Sequence, residues 1–187
     1  MKNNLTKIAY FIFLFFLIIG QSIANEQFNF DVTEIEITDN GNKFTGLNKG
    51  KITTDNGLII EANTFEYDKK LNILKASGKV KIDDKIKELI IYSDQIIYLK
   101  NEEKIFTYKN SKAVNNQGII IDANNFEFNK ILNILNANGN VKIEDTKKDF
   151  IIYADDITYL RNQEKIFTQG KTESIIESKY NFKSKNV

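Results

Sequence analysis

Gly57-Leu58-Ile59-Ile60-Glu61-Ala62-Asn63-Thr64-Phe65-Glu66-Tyr67 returns as Gly118-Ile119-Ile120-Ile121-Asp122-Ala123-Asn124-Asn125-Phe126-Glu127-Phe128. The likeness runs without a gap to Lys104-Ile105-Phe106-Thr107 against Lys165-Ile166-Phe167-Thr168. The period is about 61 residues, with roughly 30 of about 50 aligned positions identical. A weaker half-period lies inside it: Leu58 to Tyr67 resembles Leu89-Ile90-Ile91-Tyr92-Ser93-Asp94-Gln95-Ile96-Ile97-Tyr98. The elementary unit is therefore about 30 residues: an apolar pair, a small residue, Asn or Asp, then apolar and aromatic residues two apart. Repetition on this scale means stacked units, each completing its neighbour's core, and not separate domains.

Each unit reads as two strands. Ile, Val, Phe, Tyr and Thr fill the runs, and Asp39-Asn40-Gly41-Asn42, Asp55-Asn56-Gly57, Tyr67-Asp68-Lys69-Lys70 and Asn115-Asn116-Gln117-Gly118 punctuate them as turns. Lys70 to Ala76 could form a turn or two of helix, but Ser77-Gly78 and the alternating Val80-Lys81-Ile82 favour a strand. Leu58, Ile60 and Ala62 share one phase, whereas Phe65 and Tyr67 share the other. Side chains alternate with period two, so this flip near Asn63 predicts a bulge or corner, and it recurs at Asn124, Asp94 and Asp155. Strands bent at the same place stack into a folded-over, all-β sheet whose two faces meet along an apolar interior, a half-open jellyroll.

The chain has 187 residues, 26 Lys and Arg against 25 Asp and Glu, and no Cys, His, Pro or Trp. Disulfides, Cys or His nucleophiles and Cys/His zinc sites are excluded outright. A formal charge of +1, with Arg161 the single Arg, lacks the basic excess that nucleic-acid binding needs. Asp83-Asp84, Asp94, Asp145 and Asp155-Asp156 are the acids a glycosidase would use, but they fall at predicted turns and bends, where they serve backbone hydrogen bonds. We expect neither catalysis nor a cofactor. The Asp39 to Asn42 loop lacks EF-hand ligand spacing, so no metal is expected either.

Residues 1–24 read as a signal peptide: Lys2 and Lys7, the apolar run Ile8 to Ile19, then Gly20-Gln21-Ser22-Ile23-Ala24 with small residues before cleavage. The run is shorter than the roughly 20 residues that span a bilayer, although counting through Ile23 leaves an uncleaved anchor open. An exported chain without Cys fits a bacterial periplasm. No Pro blocks the edge strands of the stack, so edge-to-edge assembly is an even alternative to a monomer.

The pattern Ile-Ile-x-Ala-Asn-x-Phe-x-Tyr/Phe, then Asn72-x-Leu74-x-Ala76-x-Gly78-x-Val80-x-Ile82, then Ser93-Asp94-x-Ile96-x-Tyr98, resembles the OstA-like repeats of the LptA-type lipopolysaccharide-transport family. The second copy has Asn133, Leu135, Ala137, Gly139, Asn140, Val141 and Ile143, then Ala154-Asp155-x-Ile157-x-Tyr159. It lies nearer the family pattern than the first, which departs at Lys79 and Ser93. The resemblance covers about Phe30 to the C-terminus. It implies that residues 25–187 form an OstA-like β-jellyroll of repeats 57–117 and 118–178, which passes lipopolysaccharide between inner and outer membranes. The family includes a periplasmic bridge protein and the N-terminal domain of the outer-membrane assembly protein LptD. Implied partners are the lipid A part of lipopolysaccharide, further jellyrolls edge to edge, and membrane-bound components at both membranes. With no phosphate-binding loop in the chain, an ATP-driven partner would supply direction.

An acyl chain of about a dozen carbons costs roughly 10 kcal/mol to hold in water, so a carrier needs a continuous apolar groove. Candidates for lining it are Ile60, Phe65, Tyr67, Leu74, Ile91, Ile96, Tyr98 and Phe106, with Ile121, Phe126, Phe128, Leu135, Ile152, Ile157, Tyr159 and Phe167 in the second copy. The same residues would equally form an ordinary core. The alternative function is accordingly an edge-assembling scaffold without cargo, favoured by a closed, fully packed interior. At the C-terminus, Tyr180 to Val187 reads as the start of a further unit, serving as a short closing strand or as part of a longer protein.

Overall fold

The computed structural model describes residues 28–186; the predicted signal segment lies outside them. Fourteen strands form one antiparallel sheet. They are β1 (Phe28–Thr38), β2 (Lys43–Thr54), β3 (Ile59–Ala62), β4 (Thr64–Asp68), β5 (Ile73–Asp84), β6 (Leu89–Leu99) and β7 (Lys104–Tyr108). The series continues with β8 (Ser111–Asn115), β9 (Ile119–Ala123), β10 (Asn125–Asn129), β11 (Ile134–Asp145), β12 (Phe150–Leu160), β13 (Lys165–Ile176) and β14 (Tyr180–Asn186). Short 3-10 turns follow β1, β6 and β12. The expected strand over Val80-Lys81-Ile82 is the second half of β5, and the predicted turns at Asp39, Asp55, Lys69 and Asn116 connect strands.

The sheet is folded lengthwise into two walls. In the first wall β4 lies between β2 and β5, and β7 and β10 pair with each other; in the second β3 lies between β2 and β5, and β8 pairs with β9. The long strands β2, β5, β6, β11, β12 and β13 run through both walls and bend where they cross the fold. A single residue makes the corner in half of the strands: Asn63 between β3 and β4, Asn124 between β9 and β10, Asp94 in β6 and Asp155 in β12. Their neighbours carry one residue more and left-handed backbone: Asn48-Lys49, Gly78-Lys79, Lys109-Asn110 and Gly139-Asn140. Two residues against one is a β-bulge, here repeated in every second strand, and it sharpens the bend.

The single-residue corners lie against the facing bulge and are tied to it by hydrogen bonds. Asn63 N donates to the carbonyls of Ser77 and Gly78, Asn124 N to that of Gly139, and Lys171 N to the Asp155 carboxylate. A Cβ on Gly139 would stand 2.5 Å from Asn124 Nδ2, and one on Gly78 would stand 2.6 Å from Asn63 Nδ2. Glycine is thus required there both by its positive φ and by the close approach of its neighbour.

The interior lies between the walls. Residues opposite one another across a ladder share a face, so Ile52, Ile60, Ile82, Ile91, Ile121 and Ile143 form one buried row of the second wall. Tyr67, Leu74, Tyr98, Ile105, Phe128 and Leu135 form its counterpart in the first. Two candidate lining residues are corrected here. Phe106 pairs with Ile97 and Glu127 on the outer face, and Phe167, 49% exposed, pairs with Thr158 on the same side. Ile105 and Ile166, one residue earlier, point inward. In the Ile-Phe-Thr run either apolar residue fits the core, and only the pairing of Ile105 with Tyr98 decides which one does.

Candidate functional site: an apolar tube with a charged seam

Ile60, Phe65, Tyr67, Leu74, Ile91, Ile96, Tyr98, Ile121, Phe126, Phe128, Leu135, Ile157 and Tyr159 are all buried between the walls, and Ile152 is half-buried among them. Along the middle of the stack these side chains fill the space themselves; Leu74, Ile96, Tyr98, Phe128 and Leu135 are fully enclosed. The expected half-open groove is therefore a closed, packed tube over this stretch.

At both ends the apolar lining is uncovered. On the β1 side Phe30 stacks on Phe44 at 5.7 Å and Phe28 meets Tyr67 edge-on at 4.7 Å, while Ile35 and Ile37, opposite Gly46 and Phe44 on the inner face, are exposed, Ile37 by 54%. On the β14 side Ile176, Tyr180 and Phe182 continue the inner rows of Phe150 and Ile152 and stand in solvent, Phe182 by 57%. Among the described residues, each of these ends is also an edge strand with one unpaired side.

Opposite the corner, the strand-connecting turns of the two walls meet. Lys100 Nζ, from the first wall, lies 3.0 Å from Asp55 Oδ1 of the second and 2.6 Å from Glu103. Asn56 Nδ2 donates to Glu103 Oε2 at 3.3 Å, and Tyr98 donates its hydroxyl to the same oxygen at 2.8 Å. Lys130 Nζ bridges Glu103 (3.0 Å) and Asp84 (3.5 Å); both Lys130 and Asp84 are buried. Further along, Arg161 donates to the Lys87 carbonyl at 2.6 Å, and Gln117 Nε2 donates to Glu164. Lys130 and Lys100 lie over the Tyr98 ring, and Arg161 lies over that of Phe128, so the seam roofs the apolar interior.

The electrostatics follow from this packing. Burial by itself would raise the Glu103 carboxyl, but hydrogen bonds from Lys100, Tyr98 and Lys130 override it and hold the group down at about 2. Burial pushes Tyr98 far above the ordinary phenol value, and its bond to Glu103 adds to this. For Lys100, burial opposes the charge, but Glu103 and Asp55 outweigh it and raise the group.

Several of the acids that could have suggested catalysis have structural duties. Asp84 accepts from Lys87 N, Asp145 from Lys147 N and Lys148 N, and Asp94 from Asn110 Nδ2. Sequence reasoning missed the seam. The recurrence of Asn56/Glu103 as Gln117/Glu164, each 47 residues apart, is the one signal in the sequence that pointed to it.

No known protein family has a pattern that matches this chain, and no curated protein matches it. Among solved structures, the chain is similar to LptH, the LptA-homologous periplasmic component of the lipopolysaccharide transport device from Pseudomonas aeruginosa. The match has a TM-score of 0.54 and 15% identity over 61% of this chain and 84% of that one. The TCP10 domain of Danio rerio CPAP, in complex with a STIL peptide, aligns at a TM-score of 0.17 and 12% identity over 84% of this chain and 99% of that one, too low to bear on the fold. The chain therefore has an LptA-like β-jellyroll fold.

Proposed function

We propose that the chain is a non-enzymatic periplasmic carrier that shields the acyl chains of lipopolysaccharide inside the jellyroll on their way to the outer membrane. The observation that carries this reading is the apolar inner face, which runs the length of the stack and is uncovered at both ends. The likeness in fold to LptH supports it. On this reading residues 1–24 direct export, residues 25–187 are the carrier domain, and the bridge protein and the LptD N-terminal domain are its relatives in role.

Passage between membranes needs the tube to continue, and the edges are suited to that. β1 and β14 both run from the second wall to the first, so a second copy that prolongs both walls meets β14 with its β1 in parallel. Phe28-Asn29-Phe30-Asp31 then lies beside Tyr180-Asn181-Phe182-Lys183 in the same inward and outward phases. Aromatic residues continue the lining, Asn faces Asn, and Asp31 meets Lys183.

The test is photo-crosslinking of folded protein to lipopolysaccharide, with the photoreactive residue at inward Phe30 or Phe126, or at outward Lys81 or Phe106. Crosslinks at the inward pair alone support the carrier. None at any site refutes it and leaves the edge-assembling scaffold, which the packed middle of the tube favours.

A further inference from the structure

The two walls are held in different ways along their two sides. At the corner the backbone ladder is continuous, whereas the opposite side is closed by side chains, chiefly charged ones. The ion pairs across the gap join cations of the first lip to acids of the second. The first wall contributes Lys100, Lys130 and Arg161 around Glu103, and the second contributes Asp55 and Asp84. A buried ion pair gains little net free energy, because its attraction is offset by lost hydration that opening restores. Apolar residues in these places would have sealed the tube for good; charged ones close it with a contact that water can replace.

The rim has a matching composition. Ile86 on the second lip and Ile131 and Leu132 on the first are among the most exposed apolar side chains of the molecule, and they flank the buried Lys130. A hollow of about 420 Å³ lies between Ile86 and Ile131, lined also by Lys87, Lys100 and Lys130 and by the carboxylates of Asp55, Asp84 and Glu103, the last of which already pairs with Lys100 and Lys130. Apolar residues beside cations are what an amphipath with an anionic head presents a use for: the tail meets the isoleucines, and the head meets Lys87, Lys100 and Lys130.

We infer that the seam is an ionic latch through which an anionic amphipath enters the tube from the side, its head group replacing Asp55 and Asp84 as the partner of Lys100 and Lys130. This rests on the carrier reading and adds the route by which the cargo enters. The packed middle is then the latched state, and loading parts the lips.

The chain has no Cys, so a tether can be placed cleanly. Asp55→Cys with Lys100→Cys is joined by a short, reductively cleavable bis-maleimide. Uptake of a dansyl-labelled fatty acid is followed by fluorescence, with circular dichroism confirming the β fold. The untethered pair, which loses the Lys100 partner but keeps Lys130, should load, the tethered protein should not, and reductive cleavage should restore loading. Equal uptake by tethered and cleaved protein would overturn the latch and leave the carrier reading intact, with loading through the ends. No uptake by wild type or by the untethered pair would overturn both. If the first pair fails to fold, Gln117→Cys with Glu164→Cys tethers the second crossing of the same seam.

Discussion

Replacing Gly139 by Ala puts a methyl group where the Asn124 side chain lies. Two costs add. Gly139 has φ +76, and an L side chain in that region costs about 1 kcal/mol. The new Cβ would also stand 2.5 Å from Asn124 Nδ2 and 3.4 Å from its Cβ, so either the amide or the corner must shift, an overpacking cost of about 1–3 kcal/mol. Gly57 is an internal control, since its φ is +77 but nothing lies within 4 Å of a Cβ there, so Gly57→Ala should show the conformational cost alone. Urea unfolding followed by circular dichroism measures both. We expect Gly139→Ala to lose about 2–4 kcal/mol and Gly57→Ala about 1 kcal/mol. Truncating the neighbour as well, in Asn124→Ala/Gly139→Ala, should recover the steric part as a positive coupling in the double-mutant cycle. Equal losses at Gly57 and Gly139, or no coupling with Asn124, would refute the account of the corner as a glycine held under its neighbour's amide.

Acid should loosen the seam: Glu103 is held at about 2 against the ordinary 4.5, so its contribution, about 3 kcal/mol at most, is full above pH 4.5 and is lost as the pH falls towards 2. The Glu103→Gln variant should show a flatter acid limb in its pH–stability profile, and an unchanged one would discount the seam's charge. At the edges, Lys183→Asp should weaken self-association about fivefold by facing Asp31, roughly 1 kcal/mol for an exposed pair, and adding Asp31→Lys should restore it. Sedimentation across a concentration series checks this, and insensitivity to the sign of residue 183 would exclude the parallel register. Inside the tube, Phe128→Ala should cost about 3–5 kcal/mol and Phe106→Ala about 1 kcal/mol or less, because the first is enclosed and the second faces outward; chemical denaturation distinguishes them.

Much of this architecture could be read from residue order. The 61-residue repeat and the phase change at Asn63, Asp94, Asn124 and Asp155 locate the bend of every unit before any coordinate is known, since alternation along a strand depends only on the residues of that strand. The glycine half of the corner was harder to see. Ala76, Val80 and Ile82 keep one phase through Gly78-Lys79, because a two-residue bulge restores the alternation that a one-residue corner breaks. The same limit explains Phe106 and Phe167: a run of two apolar residues satisfies either phase.

By itself, the sequence determined the strands, their bend and the absence of thiol and imidazole chemistry, all of which are local or periodic properties. Only the tertiary structure decided that the tube is packed in its middle, bare at its ends and closed along one side by Lys100, Glu103, Lys130 and Asp84. Those four residues come from three different turns, and Lys130 has no ion-pairing equivalent one repeat earlier, where Lys69 stands. Their meeting depends on how far one wall is displaced along the other. Strand twist accumulates across a sheet, so no single segment encodes such an offset.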